Sequence, residues 1–122
     1  MVKKSRAEVG KFLDKLKELI SEDESNIQIV EKSRDKTDKT KAFRLETGYN
    51  KSDIINELLK LDICNYSYTD KDRNPKFSGE VWIFGSYIEE IRIEAYIKLK
   101  KRKKVICLSF HEKEYELFYP YL

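Results

Sequence analysis

A chain of 122 residues, 40% hydrophobic and 39% charged, is long enough to bury one core and too short for two, so 1–122 reads as a single domain. Its 12% aromatic content, with eight Tyr and six Phe, excludes a disordered composition. The formal net charge of +3 names no partner by itself, and two cysteines without CxxC spacing, Cys64 and Cys107, exclude a zinc ribbon and a disulfide scaffold.

Ser5 to Ile20 is predicted to be a helix. Ser5 and Glu8 have the spacing of a capping box, and Val9, Phe12, Leu13, Leu16, Leu19 and Ile20 recur at helical intervals. Ile27 to Val30 is rich in β-formers and reads as a short strand. The charged run Glu31 to Thr40 reads as an exposed loop, and Ala42 to Thr47 as a helical turn. Tyr49 to Leu61 reads as a second helix, capped by Asn50 or Ser52, with Ile54, Ile55, Leu58, Leu59 and Leu61 inward. Ile63 to Tyr68 reads as a strand with Cys64, Tyr66 and Tyr68 on one side. Thr69 to Ser78, containing Asn74-Pro75, reads as a polar loop.

Three strands are predicted in the last third: Val81 to Ile88, Ile91 to Lys100 and Lys104 to His111. Their short connections imply an antiparallel C-terminal β-meander. Helices followed by a run of strands give an α+β chain with its helices packed on one face of a twisted antiparallel sheet. No leader and no apolar stretch of membrane-spanning length is visible, which with the cysteine usage predicts a cytoplasmic protein.

Strand side chains alternate between faces. Ile91, Ile93, Ala95, Ile97 and Leu99 form an apolar set, which leaves Arg92, Glu94, Tyr96, Lys98 and Lys100 on an open face. If Lys101 and Arg102 are the turn, Tyr96 meets Cys107, Glu94 meets Ser109 and Arg92 meets His111. The chain's single histidine then shares the open face, about 13 Å along the strand from Tyr96. Trp82 and Phe84 are expected in the core, with Gly85 permitting a close approach near Glu94.

A titratable imidazole, a phenol and several cations are the groups that metal-free RNA cleavage needs. One removes the 2′-OH proton, one protonates the 5′ oxygen, and cations stabilise the phosphorane. His111, Tyr96 and Glu94 are thus candidate catalytic residues, and Arg92, Lys98, Lys100, Lys101 and Arg102 candidate phosphate-binding residues. Each has an ordinary reading too. The basic turn also fits a solvated hairpin end, a lone His at a strand end is more often structural or merely exposed than catalytic, Tyr is common on open sheet faces because it favours strands, and Glu94 also fits a plain cross-strand charge partner. No P-loop, HExxH, nucleophile elbow or acidic pair with metal-ligand spacing occurs, so neither a metal nor a cofactor is expected.

The stretch Ala95-Tyr96-Ile97-Lys98-Leu99, followed by Val105-Ile106-Cys107-Leu108-Ser109-Phe110-His111-Glu112-Lys113, resembles the end of MqsR-type toxins. In that family an x-Tyr-apolar-Lys-Leu strand precedes an apolar strand ending Ser-Phe-Lys, and the Tyr and the residue after Ser-Phe are catalytic. They correspond to Tyr96 and His111, and Trp82 matches the Trp of the preceding strand. The chain departs from the family with His111 in place of Lys and Ile83 in place of a Gln, and a family Lys falls near Asn65. The ending Ser109-Phe110-His111-Glu112 with Tyr115, Tyr119 and Pro120 resembles a divergent branch. The resemblance implies a RelE-like fold and an endoribonuclease that cleaves mRNA and is neutralised by a cognate antitoxin. A non-catalytic nucleic-acid-binding module, or a protein-interaction domain docking its basic turn on an acidic partner, remain the alternatives.

Overall fold

The computed structural model describes residues 1–31, 38–73 and 79–122. Most of the predicted loop 31–40, and Asn74-Pro75 with its neighbours, lie outside the described residues.

Helix α1 (Arg6–Glu22) starts where the capping box predicts, with Ser5 and Glu8 satisfying each other's backbone N–H groups. Strand β1 (Ile27–Ile29) follows a short 3-10 turn. The helical turn predicted from Ala42 is a full helix, α2 (Lys39–Thr47), because the Asp38 side chain accepts from the Lys41 amide and fixes an earlier start. Gly48 ends it in the left-handed region at φ 77°. Helix α3 (Lys51–Leu59) is capped by Asn50 with Asp53.

A 3-10 turn occupies Ile63–Asn65, so β2 (Tyr66–Lys71) begins later and runs further than expected. It bulges between Tyr66 and Tyr68. Tyr66 therefore sits in the core while Tyr68 lies on the opposite face, not on one side with it. Strands β3 (Glu80–Ile88), β4 (Ile93–Lys101) and β5 (Val105–Glu112) complete the sheet.

The sheet order is β1-β5-β4-β3-β2. β2 to β5 form the expected antiparallel meander, but β1 pairs with β5 in parallel, Ile27 against Val105. The sheet is mixed and open, not wholly antiparallel. Apolar residues of α1, α2 and α3 join Phe84, Ile88, Ala95, Ile97, Leu99, Cys107 and Phe110 in one core on one sheet face. Phe12 of α1 stacks on Trp82 with centroids 4.2 Å apart, and Phe43 of α2 meets Phe110. Among the described residues no helix is long and apolar enough to cross a membrane.

The second sheet face carries its own cover. Residues 113–122 run across it as a tail, burying Leu117. Gly85 lies beneath, with the Tyr119 hydroxyl where a β-carbon would be, the close approach that a glycine in mid-strand predicts.

Candidate active site on the open sheet face

The turn between β4 and β5 spans residues 102–104, and Lys101 pairs with Val105. The expected two-residue turn at Lys101-Arg102 is thus replaced by a longer one, which sets Leu99 against Cys107 and buries the cysteine in the core. The pairing then slips between Lys98 and Leu99, leaving Leu108 without a partner. This bulge reverses the alternation of β5. Beyond it Lys98 faces Ser109, Ile97 faces Phe110, and Tyr96 faces His111.

The consequence for the site is large. His111 stands not beside Arg92 but directly across from Tyr96. Their rings stack with centroids 5.3 Å apart and an interplanar angle of 24°. Tyr115 of the tail meets Tyr96 edge-on at 5.9 Å, and its hydroxyl lies 3.0 Å from that of Tyr68. Neither ring of the pair belongs to the helix-side core.

Nδ1 of His111 lies 2.8 Å from the Glu112 carbonyl oxygen. A carbonyl only accepts, so in the neutral ring Nδ1 carries the proton and Nε2 is the basic nitrogen. Burial pushes the Tyr96 phenol well above the ordinary phenol range, and the Tyr115 and Tyr68 phenols beside it push the same way. Burial, helped by Tyr115, raises Tyr68 to about 12. Tyr96 and Tyr68 therefore keep their protons through neutral pH and present hydrogen-bond donors.

On the β5 side Glu94 lies against Lys113, whose amide donates to its carbonyl, and not against Ser109, which faces Lys98; on the β3 side it meets Tyr87. Both its oxygens are engaged: Oε2 accepts from the Tyr119 hydroxyl at 2.7 Å, and Oε1 lies 3.1 Å from Lys113 Nζ. Burial alone lifts its carboxyl, but Tyr119 and Lys113 outweigh that and hold it below the usual range. It clasps the tail to the sheet.

The candidate cations separate. Lys98 shares the open face one same-side position from Tyr96, half-buried opposite Ser109. Lys101 and Arg102 are exposed at the hairpin end, Lys101 roughly 17 Å along β4 from Tyr96. Arg92 is not in the strand at all. The β3–β4 connection is a four-residue turn, not Glu89-Glu90 alone, and Arg92 closes it, exposed, at φ 53°. Lys100 is only 4% exposed and donates to Asp72 at 2.6 Å, so it is a buried structural cation rather than a surface phosphate ligand.

Sequence reasoning missed three neighbours of the pair, Lys39, Tyr68 and Tyr115, and the Tyr119 hydroxyl that engages Glu94 beside them. Lys39, at the start of α2, joins Tyr96, Ser109, His111, Glu114 and Tyr115 around a recess of about 250 Å³. The tail had a legible signal, since Tyr115, Leu117, Tyr119 and Tyr121 alternate like a strand lying on a surface. Among the described residues no group of three or more His, Cys, Asp or Glu side chains is placed to hold a metal ion. Comparison with known proteins gives no match to this chain, whether against family models, curated proteins or solved structures.

Proposed function

We propose that this chain is a metal-independent endoribonuclease of the toxin type, RelE-like in fold, which cleaves mRNA in the cytoplasm and is held in check by a cognate antitoxin. The observation that carries the reading is the stacked, cross-strand Tyr96–His111 pair on the sheet face turned away from the helices. Direct pairing lets both groups reach one phosphate. Nε2 of neutral His111 takes the 2′-OH proton as that oxygen attacks phosphorus. Tyr96 gives its proton to the departing 5′ oxygen, and water then carries the proton from the His111 imidazolium back to the Tyr96 phenolate. The products are a 2′,3′-cyclic phosphate and a 5′-hydroxyl, and Lys98 on the same face offsets phosphorane charge.

The test is incubation of purified protein with a short end-labelled RNA, with and without chelator. Wild type cleaves in both conditions. His111→Ala slows cleavage by about 10²- to 10⁴-fold, the usual worth of positioned acid–base catalysis, and Tyr96→Phe slows it while retaining RNA binding. Undiminished cleavage by His111→Ala overturns the assignment.

One observation favours a second reading. Both Glu94 oxygens are taken and burial makes the Tyr96 phenol hold its proton tightly, so neither readily completes an acid–base pair with His111. A non-catalytic RNA-binding face predicts steep salt dependence and no cleavage products.

A further inference from the structure

Lys39 and Glu114 form an ion pair at the mouth of the recess beside His111 and Tyr96. Both side chains are about half exposed, at 50% and 52%, so water competes for each and the pair is easily exchanged. Lys39 and the nearby His111 favour the ionised form of the Glu114 carboxyl. The next residue, Tyr115, sets its ring against Tyr96. An anion on a lysine and an aromatic ring on a tyrosine, one residue apart, are the two halves of a nucleotide: phosphate and base.

The rest of the tail is held elsewhere. The Phe118 carbonyl accepts from Ser67, Leu117 is buried, and Tyr119 donates to Glu94. Glu114 and Tyr115 can therefore leave the recess, giving up the partly exposed Tyr115–Tyr68 hydroxyl contact, while residues 117–121 stay in place.

We propose that the recess is a nucleotide subsite, with Lys39 binding a phosphate and Tyr96 the adjoining base, and that Glu114 and Tyr115 occupy it in the free protein as an internal stand-in for RNA. The inference rests on the RNA reading above and adds to it a phosphate ligand from α2 and a competitor built into the chain. An incoming single strand exchanges its phosphate for the Glu114 carboxylate and its base for the Tyr115 ring.

The experiment measures binding, not cleavage, so it stands apart from the fate of the nuclease assignment. A fluorescently labelled, 2′-deoxy-substituted oligonucleotide, which lacks the attacking hydroxyl, is titrated by anisotropy over a range of salt. Glu114→Gln tightens binding by roughly two- to fivefold, the factor an exposed ion pair is worth. Glu116→Gln removes the same charge two residues on and leaves affinity unchanged. Lys39→Gln weakens binding, lowers the slope of log K against log salt by about 0.7, the share of one single-strand phosphate, and erases the gain from Glu114→Gln. Equal tightening by Glu114→Gln and Glu116→Gln reduces the effect to net charge and overturns the proposal. So does a gain from Glu114→Gln that survives in the Lys39→Gln background. If His111→Ala fails to affect cleavage while these binding results hold, the catalytic reading falls and the subsite stands.

Discussion

Gly85 sets the distance between sheet and tail. A methyl group there would lie 2.0 Å from the Tyr119 hydroxyl and 2.7 Å from Leu117 Cδ1. Both atoms would have to shift, and neither shifts freely, because Tyr119 donates to Glu94 and Leu117 is buried. Gly85→Ala is expected to lower the unfolding free energy by about 1–3 kcal/mol, the usual cost of overpacking, as read from urea denaturation. The Tyr119→Ala variant shares the same contact, so combining the two costs less than their sum. Independent, additive costs show that the tail does not rest on Gly85. The same contact explains part of what a sequence does and does not reveal. A glycine amid Val81-Trp82-Ile83-Phe84 announces that something approaches closely, but it does not say what.

Strand β5 is held on its outer edge by two different elements. β1 pairs with it through Cys107, and the Val30 amide donates to the Cys107 carbonyl. Past that point α2 takes over, with Thr40 Oγ1 accepting from the Phe110 amide at 3.0 Å in a buried setting. This cover protects an edge that would otherwise be open for pairing. Thr40→Val keeps the shape but strands the amide. It is expected to cost about 1–3 kcal/mol and to speed hydrogen exchange at Phe110. A protected Phe110 amide in that variant shows another partner for it. Elements whose signals are local were legible: the Ser5–Glu8 box of α1, the α3 cap, which is Asn50 of the two residues offered, and the apolar alternation of β4. The turn length and the Leu108 bulge were not, because residues 101–104 are a uniform basic run and Val105-Ile106-Cys107-Leu108 is uniformly apolar. Neither stretch carries a mark that fixes register. The expectation that His111 shares a face with Tyr96 held although the pairing behind it was wrong, since the longer turn and the bulge each reverse parity once.

At the scale of the whole molecule, Glu94 joins the two layers of the open face. Its carboxyl is held below the ordinary carboxylate range, burial opposing and Tyr119 and Lys113 prevailing. Above that range it is ionised in folded and unfolded chains alike, and its clasp contributes fully. As pH falls through its lowered folded value, the unfolded chain has already taken up a proton and the contribution is lost. Stability therefore declines on the acid side, and Glu94→Gln is expected to lower it near neutrality while flattening that acid decline, measured by denaturation across pH 2 to 7. An unchanged acid limb assigns the clasp no part in it. The parallel union of β1 with β5 reaches further still, for Ile27 finds Val105 only after every residue between them has been made. On the ribosome β1 waits unpartnered while every intervening segment emerges, and β4 waits for the strand that carries the imidazole. Such long-range closure belongs to the slow-folding topologies. A nascent chain stopped before β5 holds neither a finished sheet nor a Tyr96–His111 pair, so this face takes shape only once residues 105–112 are free to pair with both of their neighbours.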